Sequence, residues 1–295
     1  MRSRNTRIFL LKNRSARCPG SADDALRGAS RTHTPSLKSF RSTVWGYWEK
    51  EGRHDLPWRK TKNPYRIMVS EVMLQQTQVS RVIEKYKEFL KKFPTVRALA
   101  KAPLADVLKA WSGLGYNRRA KYLHDAAKEI VGIYKGNFRQ TLEHPLSGVG
   151  PYTKAAIRAF AFNEPDVLIE TNIRTAYIHH FRKGQTFVED EDILSIAQKA
   201  AQGQDPREWH WALMDYGACL KHSGVRNNSR SAHYTKQSKF EGSLRQVRGA
   251  ILKALSRHET INDLRSRYKK QFQKALKGLV RDGLIVKEKG KWRIA

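Results

Sequence analysis

From Tyr65 to Phe93 the apolar residues Ile67, Leu74, Val79, Val82, Ile83, Tyr86 and Phe89 recur at helical spacing. Such a pattern lays one apolar stripe along a helix, and the stripe must be buried against another element. The same period dominates from Phe40 to about Ser223, with breaks at Pro57, Pro94, Pro103, Gly113 and Pro145. An all-α domain pair is the expectation for this region. Hydrophobic residues make up 40% of the 295-residue chain, enough to bury a real core, and the length suits two or three domains. No run is long and apolar enough to span a membrane.

Glu71 interrupts the first pattern. It sits inside Val69-Ser-Glu-Val-Met-Leu-Gln-Gln-Thr-Gln-Val79, with Ile67 and Leu74 one turn to either side. A lone Glu at the edge of a helix ordinarily faces water; here the apolar neighbours argue for burial, which is rare for an ionisable group unless it is paired or put to use. Desolvation would raise its pKa, and a carboxyl kept protonated near neutral pH can donate a proton to a leaving group.

Two further stretches carry chemistry. Leu146-Ser-Gly-Val-Gly-Pro-Tyr-Thr153 precedes a helix-forming run from Lys154 to Phe162. Gly148 and Gly150 permit a tight turn with outward amides, and Pro151 fits the first position of a helix. Amides aimed outward at a helix start suit a DNA phosphate, although a Gly-x-Gly turn is more often a plain connector. In Asp166-Val-Leu-Ile-Glu-Thr-Asn-Ile-Arg174 an apolar run delivers Glu170 and Asn172 to the start of another helix. Two carboxylates in separate environments, Glu71 and Glu170, are what cleavage of a glycosidic bond requires.

With these motifs the chain resembles the helix-hairpin-helix base-excision DNA glycosylases, and among them the A/G-specific adenine glycosylases. The likeness runs from about Phe40 to Ser223 through Leu56-Pro-Trp-Arg59, Ser70-Glu-Val-Met-Leu-Gln-Gln-Thr-Gln78, Gly113-Leu-Gly-Tyr116, Gly148-Val-Gly-Pro-Tyr-Thr153 and Trp211-Ala-Leu-Met-Asp-Tyr-Gly217. The resemblance implies a two-lobed helical fold with the active site in the cleft between its halves. It also implies that Glu71 is the general acid at N7 of the purine and that Glu170 stabilises the sugar cation. By the same likeness Asn172 helps position that carboxylate or the attacking water. Tyr152 falls where bifunctional relatives carry a Schiff-base lysine, so no lyase step is expected; Lys154, two residues on, points elsewhere. Gln76 and Tyr116 match residues that push into the base stack while the target adenine is flipped. Gly148, Gly150, Thr153 and Arg59 are expected at DNA, with Trp58 at the wall of the base pocket or simply structural.

The departures from the family matter too. Glu170 is one methylene longer than the family's aspartate, Thr171 replaces the glycine usually beside it, and Ser147 stands where the hairpin usually has proline. The stretch from Phe138 to Leu146 runs slightly short, which would loosen the first helix of the hairpin. The family's iron-sulfur cluster needs four thiolates. This chain has two cysteines, Cys18 and Cys219, far apart and on different segments. No cofactor is therefore expected, and no metal, since Cys219, His222 and His233 lack a tight ligand spacing.

Lys and Arg number 57 against 27 Asp and Glu, a formal net charge of +30 that draws the protein to DNA phosphates without reading sequence. Residues 1–39, rich in Arg and Ser, read as a disordered basic tail; an organelle-targeting segment has the same composition. By the resemblance, residues 40–225 are expected to be the glycosylase domain, with 226–240 a basic linker. Residues 241–295 read as three helical stretches and a hairpin around a Lys-Gly turn, resembling a winged helix with Lys269, Lys270, Lys274 and Lys277 available for phosphates or simply solvated. The usual adenine glycosylases carry a Nudix-like domain here, of which this sequence shows no equivalent.

Together these features predict a monomeric, monofunctional adenine DNA glycosylase acting on double-stranded DNA at A opposite 8-oxoguanine or G. The expected location is cytoplasmic and nucleoid-associated, as in a bacterium, if the tail does not target an organelle. A thymine or uracil mismatch glycosylase of the same fold, or a non-catalytic DNA-binding protein, are the alternatives.

Overall fold

The computed structural model describes residues 18, 19, 34–232, 234 and 239–295. In chain order the helices are α1 (Leu37–Glu51), α2 (Pro64–Leu74), α3 (Val79–Lys92), α4 (Val96–Lys101), α5 (Leu104–Trp111), α6 (Arg118–Gly132) and α7 (Phe138–Leu142). They continue with α8 (Pro151–Ile157), α9 (Thr171–Phe181), α10 (Asp190–Ala201), α11 (Pro206–His222), α12 (Leu244–Leu255) and α13 (Asn262–Arg281), before strands β1 (Ile285–Glu288) and β2 (Lys291–Ile294). The chain is thus mostly helical, and Pro57, Pro94, Pro103, Gly113 and Pro145 all fall between or at the starts of elements. Among the described residues no helix is long and apolar enough to cross a membrane.

Local chemistry sets the helix starts. Asn63 caps α2 by accepting the Arg66 amide at 3.1 Å, with Pro64 at the first helical position. Asp205 caps α11 in the same way through the Glu208 amide at 2.8 Å, again followed by proline. The long apolar pattern from Tyr65 to Phe93 is not one helix. α2 stops at Leu74, and Gln76 takes a left-handed backbone, φ 54°, before α3 begins at Val79.

The chain divides into two compact units, one comprising Met1–Asp55 with Arg158–Thr235 and the other Leu56–Ile157 with Lys236–Ala295. In the first, α1, α9 and α11 bury an aromatic core in which the Phe40 ring lies 5.3 Å from that of Tyr177 and 6.1 Å from that of Trp209. In the second, α3 and α5 meet through Phe89 and Trp111, whose rings are 6.0 Å apart.

The C-terminal segment, expected as a unit of its own, groups with Leu56–Ile157. α12 packs on α13 over Val247, Ile251, Phe272 and Leu279, and Lys269 breaks α13 with φ 38°. β1 and β2 pair antiparallel, Ile285 opposite Ile294 and Glu288 opposite Lys291. Their turn uses positive φ at both Lys289 and Gly290, which matches the twist of a tight hairpin.

Most of the expected N-terminal tail lies outside the described residues. Within it, residues 37–39 belong to α1, and Cys18 is buried. Cys18 and Cys219, 201 positions apart, are joined by a disulfide with Cα atoms 5.7 Å apart. The two cysteines that look remote in sequence are therefore partners in space. In the described part of the expected linker, the Val188 amide donates to Arg230 at 2.8 Å, and the Ala232 amide returns to Val188 at 3.1 Å.

Candidate active site

Glu71 lies in the last turns of α2 and is 8% exposed, so its carboxylate is held within the fold. α8 packs on α2, and its first turn brings the Tyr152 hydroxyl to 3.4 Å from Glu71 Oε2, to which it donates. A buried carboxyl within hydrogen-bond reach of a phenol is a candidate for proton-transfer chemistry.

Downstream of Glu71 the backbone is organised by a residue that sequence reasoning missed. Arg119, near the start of α6, donates from Nη1 to the carbonyls of Val72 at 2.7 Å, Met73 at 3.1 Å and Gln75 at 2.5 Å. Its Nη2 reaches Thr77 Oγ1 at 3.1 Å and the carbonyls of Leu114 and Gly115 at 3.2 and 3.3 Å. The unsatisfied carbonyls at the end of α2 are thereby tied to the Gly113–Tyr116 turn. Burial pulls the Arg119 pKa down to about 10, which leaves it charged at neutral pH. Gln76 is exposed, Tyr116 is half-buried, and both have left-handed backbones, φ 54° and 46°. The sequence signal was present, since Arg119 follows Gly113-Leu-Gly-Tyr116 by three residues, but in so basic a chain one arginine does not stand out.

The turn between α7 and α8 is set by Gly148. Its φ is 66°, and a Cβ there would lie 2.3 Å from Tyr122 Cβ. Gly150 faces open space, so a ligand can approach its backbone. Ser147, in place of the family's proline, donates from its amide at 3.2 Å and its hydroxyl at 2.5 Å to the Glu129 carboxylate. That bidentate anchor restrains the turn by other means. Thr153 is 3% exposed, Lys154 donates to the His144 carbonyl at 2.5 Å, and Trp58 is buried edge-on to Tyr86 with ring centroids 5.6 Å apart. Arg59 is half-buried in the same short turn, Pro57–Lys60.

The second carboxylate belongs to the other unit. Glu170 is the N-cap of α9: Oε1 accepts the Asn172 amide at 2.8 Å and the Ile173 amide at 2.9 Å. Asn172 Nδ2 donates to Glu170 Oε2 at 3.2 Å, and Asn172 Oδ1 accepts from Lys221 Nζ at 3.2 Å. The extra methylene of glutamate is absorbed by this capping pose. Burial pushes the Glu170 carboxyl up from its usual value, against the downward pull of the two amides, Lys221 and Arg174. Two buried contacts fix the segment. His210 Nδ1 donates to the Pro206 carbonyl at 2.6 Å, which leaves Nε2 to accept the Leu168 amide at 3.1 Å. Gly217 of α11 lies so close to α9 that an added Cβ would fall 2.0 Å from the Asn172 carbonyl oxygen.

Among the described residues no group of three His, Cys, Asp or Glu side chains is placed to hold a metal ion. Cys219 is paired with Cys18, and His233 lies outside the described residues.

Residues 69–212 match the HhH-GPD superfamily of base excision DNA repair proteins. The adenine DNA glycosylase of Mycolicibacterium smegmatis is 33% identical over 266 residues, which cover 81% of this chain and 90% of that protein. That of Buchnera aphidicola subsp. Baizongia pistaciae is 34% identical over 192 residues, 62% of this chain and 53% of its own length. The rat adenine DNA glycosylase is 34% identical over 199 residues, 62% of this chain and 38% of its own. The chain thus spans about half or less of the length of these last two relatives. Among solved structures, a thermostable thymine-DNA glycosylase superposes with a TM-score of 0.54 at 26% identity, over 67% of this chain and 96% of that one.

Proposed function

Because this chain belongs to the HhH-GPD superfamily of base excision DNA repair proteins, we propose that it is a monofunctional adenine DNA glycosylase acting on adenine mispaired with 8-oxoguanine or guanine in duplex DNA. The observation that carries this reading is the burial of Glu71, inside Ser70-Glu-Val-Met-Leu-Gln-Gln-Thr-Gln78, with the Tyr152 hydroxyl beside it.

Glu71 gives its proton to N7 of the flipped adenine. The C1′–N9 bond then breaks with its electron pair leaving on a neutral base. The Glu170 carboxylate, oriented by Asn172, stabilises the positive charge that develops on the sugar. Water adds to C1′, its proton is taken up by a carboxylate, and an abasic site remains. With tyrosine at 152 rather than lysine, no amine is placed there for a Schiff base, and strand cleavage is not part of the reaction.

Gln76 and Tyr116, on turns tied together by Arg119, fill the stack beside the flipped nucleotide. The Gly148–Pro151 turn receives a backbone phosphate. The net charge of +30 supplies non-specific attraction to the duplex. A four-thiolate iron-sulfur cluster does not fit this chain, whose two cysteines pair with each other. The protein works as a monomer without a cofactor, and the C-terminal segment, in the manner of a winged helix, adds phosphate contacts.

The likeness to a thymine-DNA glycosylase favours one other reading, a mismatch pyrimidine glycosylase. Single-turnover base release from A:8-oxoG, A:G, T:G and U:G duplexes, read by alkaline strand cleavage, separates the two. Adenine release fastest opposite 8-oxoguanine supports the proposal. Release of thymine or uracil replaces it with the pyrimidine reading, and binding without release of any base makes the protein a non-catalytic DNA binder.

A further inference from the structure

The C-terminal segment touches the Gly113–Tyr116 turn and the start of α6 at two points. In the first turn of α12, Arg245 Nη1 donates to the Tyr116 hydroxyl at 2.7 Å, and its guanidinium carbon lies 5.5 Å from the centre of the Tyr116 ring. At the end of α13, the side chain of Asp282, 6% exposed, accepts from Arg118 Nε at 3.2 Å and from Arg248 Nη2 at 2.5 Å. Beside it Gly283, φ 63°, leaves room for the Lys121 stem, which a Cβ would meet at 3.0 Å.

The second contact ties the segment to α6 through Arg118, with Arg248 of α12 holding the same Asp282 carboxylate. The first does something more specific. Tyr116 carries an uncommon left-handed backbone for a bulky residue, and its turn is gripped from below by Arg119, whose guanidinium carbon is also 5.5 Å from the ring centre. Arg119 bonds to backbone atoms of the turn; Arg245 bonds to the tip of the side chain. Between them both ends of Tyr116 are fixed.

We propose that Arg245 is a positioning residue for DNA engagement, holding the Tyr116 side chain in the pose from which it enters the base stack. The C-terminal segment thereby becomes part of the mismatch-reading surface and not only a phosphate-binding appendage. The inference rests on Tyr116 being a stack-inserting residue. Its physical basis is preorganisation: an aromatic ring already fixed gives up less rotamer freedom when it inserts.

The test is a double-mutant cycle on the full chain with Arg245→Ala, Tyr116→Phe and the double variant, plus Arg245→Lys. The probe is a duplex carrying A:8-oxoG with 2-aminopurine at the neighbouring step, read for affinity and for the fluorescence rise on unstacking. Arg245→Ala is expected to weaken binding roughly tenfold, as for loss of a charged hydrogen bond, and to reduce the unstacking signal. Tyr116→Phe should do the same, with the double variant no weaker than either and Arg245→Lys partly restored. Additive losses, with a shallower salt dependence for Arg245→Ala, would show a plain phosphate contact and overturn the proposal. So would binding and unstacking equal to wild type. Base release by the wild type on the same duplex is scored separately. An inert wild type refutes the glycosylase reading, while the binding cycle still decides the role of Arg245.

Discussion

Gly217→Ala adds one carbon against the backbone of Asn172, and it should disable the second carboxylate. A Cβ on Gly217 would sit 2.0 Å from the Asn172 carbonyl oxygen, 2.5 Å from its carbon and 3.0 Å from its Cα. All three are backbone atoms, so no side chain can swing aside. Restoring ordinary contact requires the start of α9 to move by roughly 1–1.5 Å. That start carries the Asn172 and Ile173 amides that hold the Glu170 carboxylate. A misplacement of about 1 Å costs on the order of a hundredfold in rate. Overpacking of this kind costs about 2 kcal/mol, equivalent to a fall in Tm of roughly 5 °C. The assay is single-turnover adenine release at saturating enzyme, paired with a thermal melt. Gly249→Ala, a helical position with nothing within 4 Å of the added carbon, serves as the control and should be neutral or slightly stabilising. If Gly217→Ala is folded and releases adenine within twofold of wild type, the claim that this helix contact positions Glu170 is wrong.

Four other outcomes are expected. Since burial raises the Glu170 pKa and only its ionised form stabilises a cation, the rate should rise with pH through a value above the ordinary carboxylate range. Glu170→Asp, which can cap α9 through the same amides, should keep or raise activity, and an inactive Asp variant beside an active wild type would show that the longer side chain is required. His210, lowered to about 4 by burial, takes up a proton near 6.5 when unfolded, so stability is lost as pH falls from 6.5 toward 4. By pH 5 the loss is about 2 kcal/mol, measurable by urea melts; a His210→Asn variant with an unchanged slope would refute it. Arg119→Lys keeps the charge but cannot serve six acceptors, and should cut base unstacking several-fold while leaving affinity for undamaged duplex within about twofold. An unstacking signal equal to wild type would remove Arg119 from the wedge.

The helical class, the positions of the breaks and the burial of Glu71 were legible because each follows from local pattern: period, proline placement and an acid among apolar neighbours. What was not legible depends on partners distant in the chain. The break after Leu74 carries no Gly or Pro; a left-handed Gln76 makes it, and Arg119 ties the adjoining carbonyls from 44 residues away. The Cys18–Cys219 pair spans 201 positions, and no spacing rule predicts a partner at that range. Ser147 looked like a weakening of the hairpin, yet Glu129, 18 residues earlier, holds it. The contacts of the C-terminal segment with Leu56–Ile157 include those of Arg245 and of Arg118 with Asp282, and in a chain with 57 Lys and Arg the sequence offers no reason to single out two arginines.

The most direct test of the whole account is Glu71→Gln, measured for adenine release from an A:8-oxoG duplex under single turnover and for binding to the same duplex. The amide keeps the shape of the side chain and its contact with Tyr152 but has no acidic proton to give. Binding within a few fold of wild type, with base release reduced below detection, is the predicted result. Undiminished release would mean that the proton on the leaving adenine comes from elsewhere, and the assignment of Glu71 as the acid would have to be abandoned.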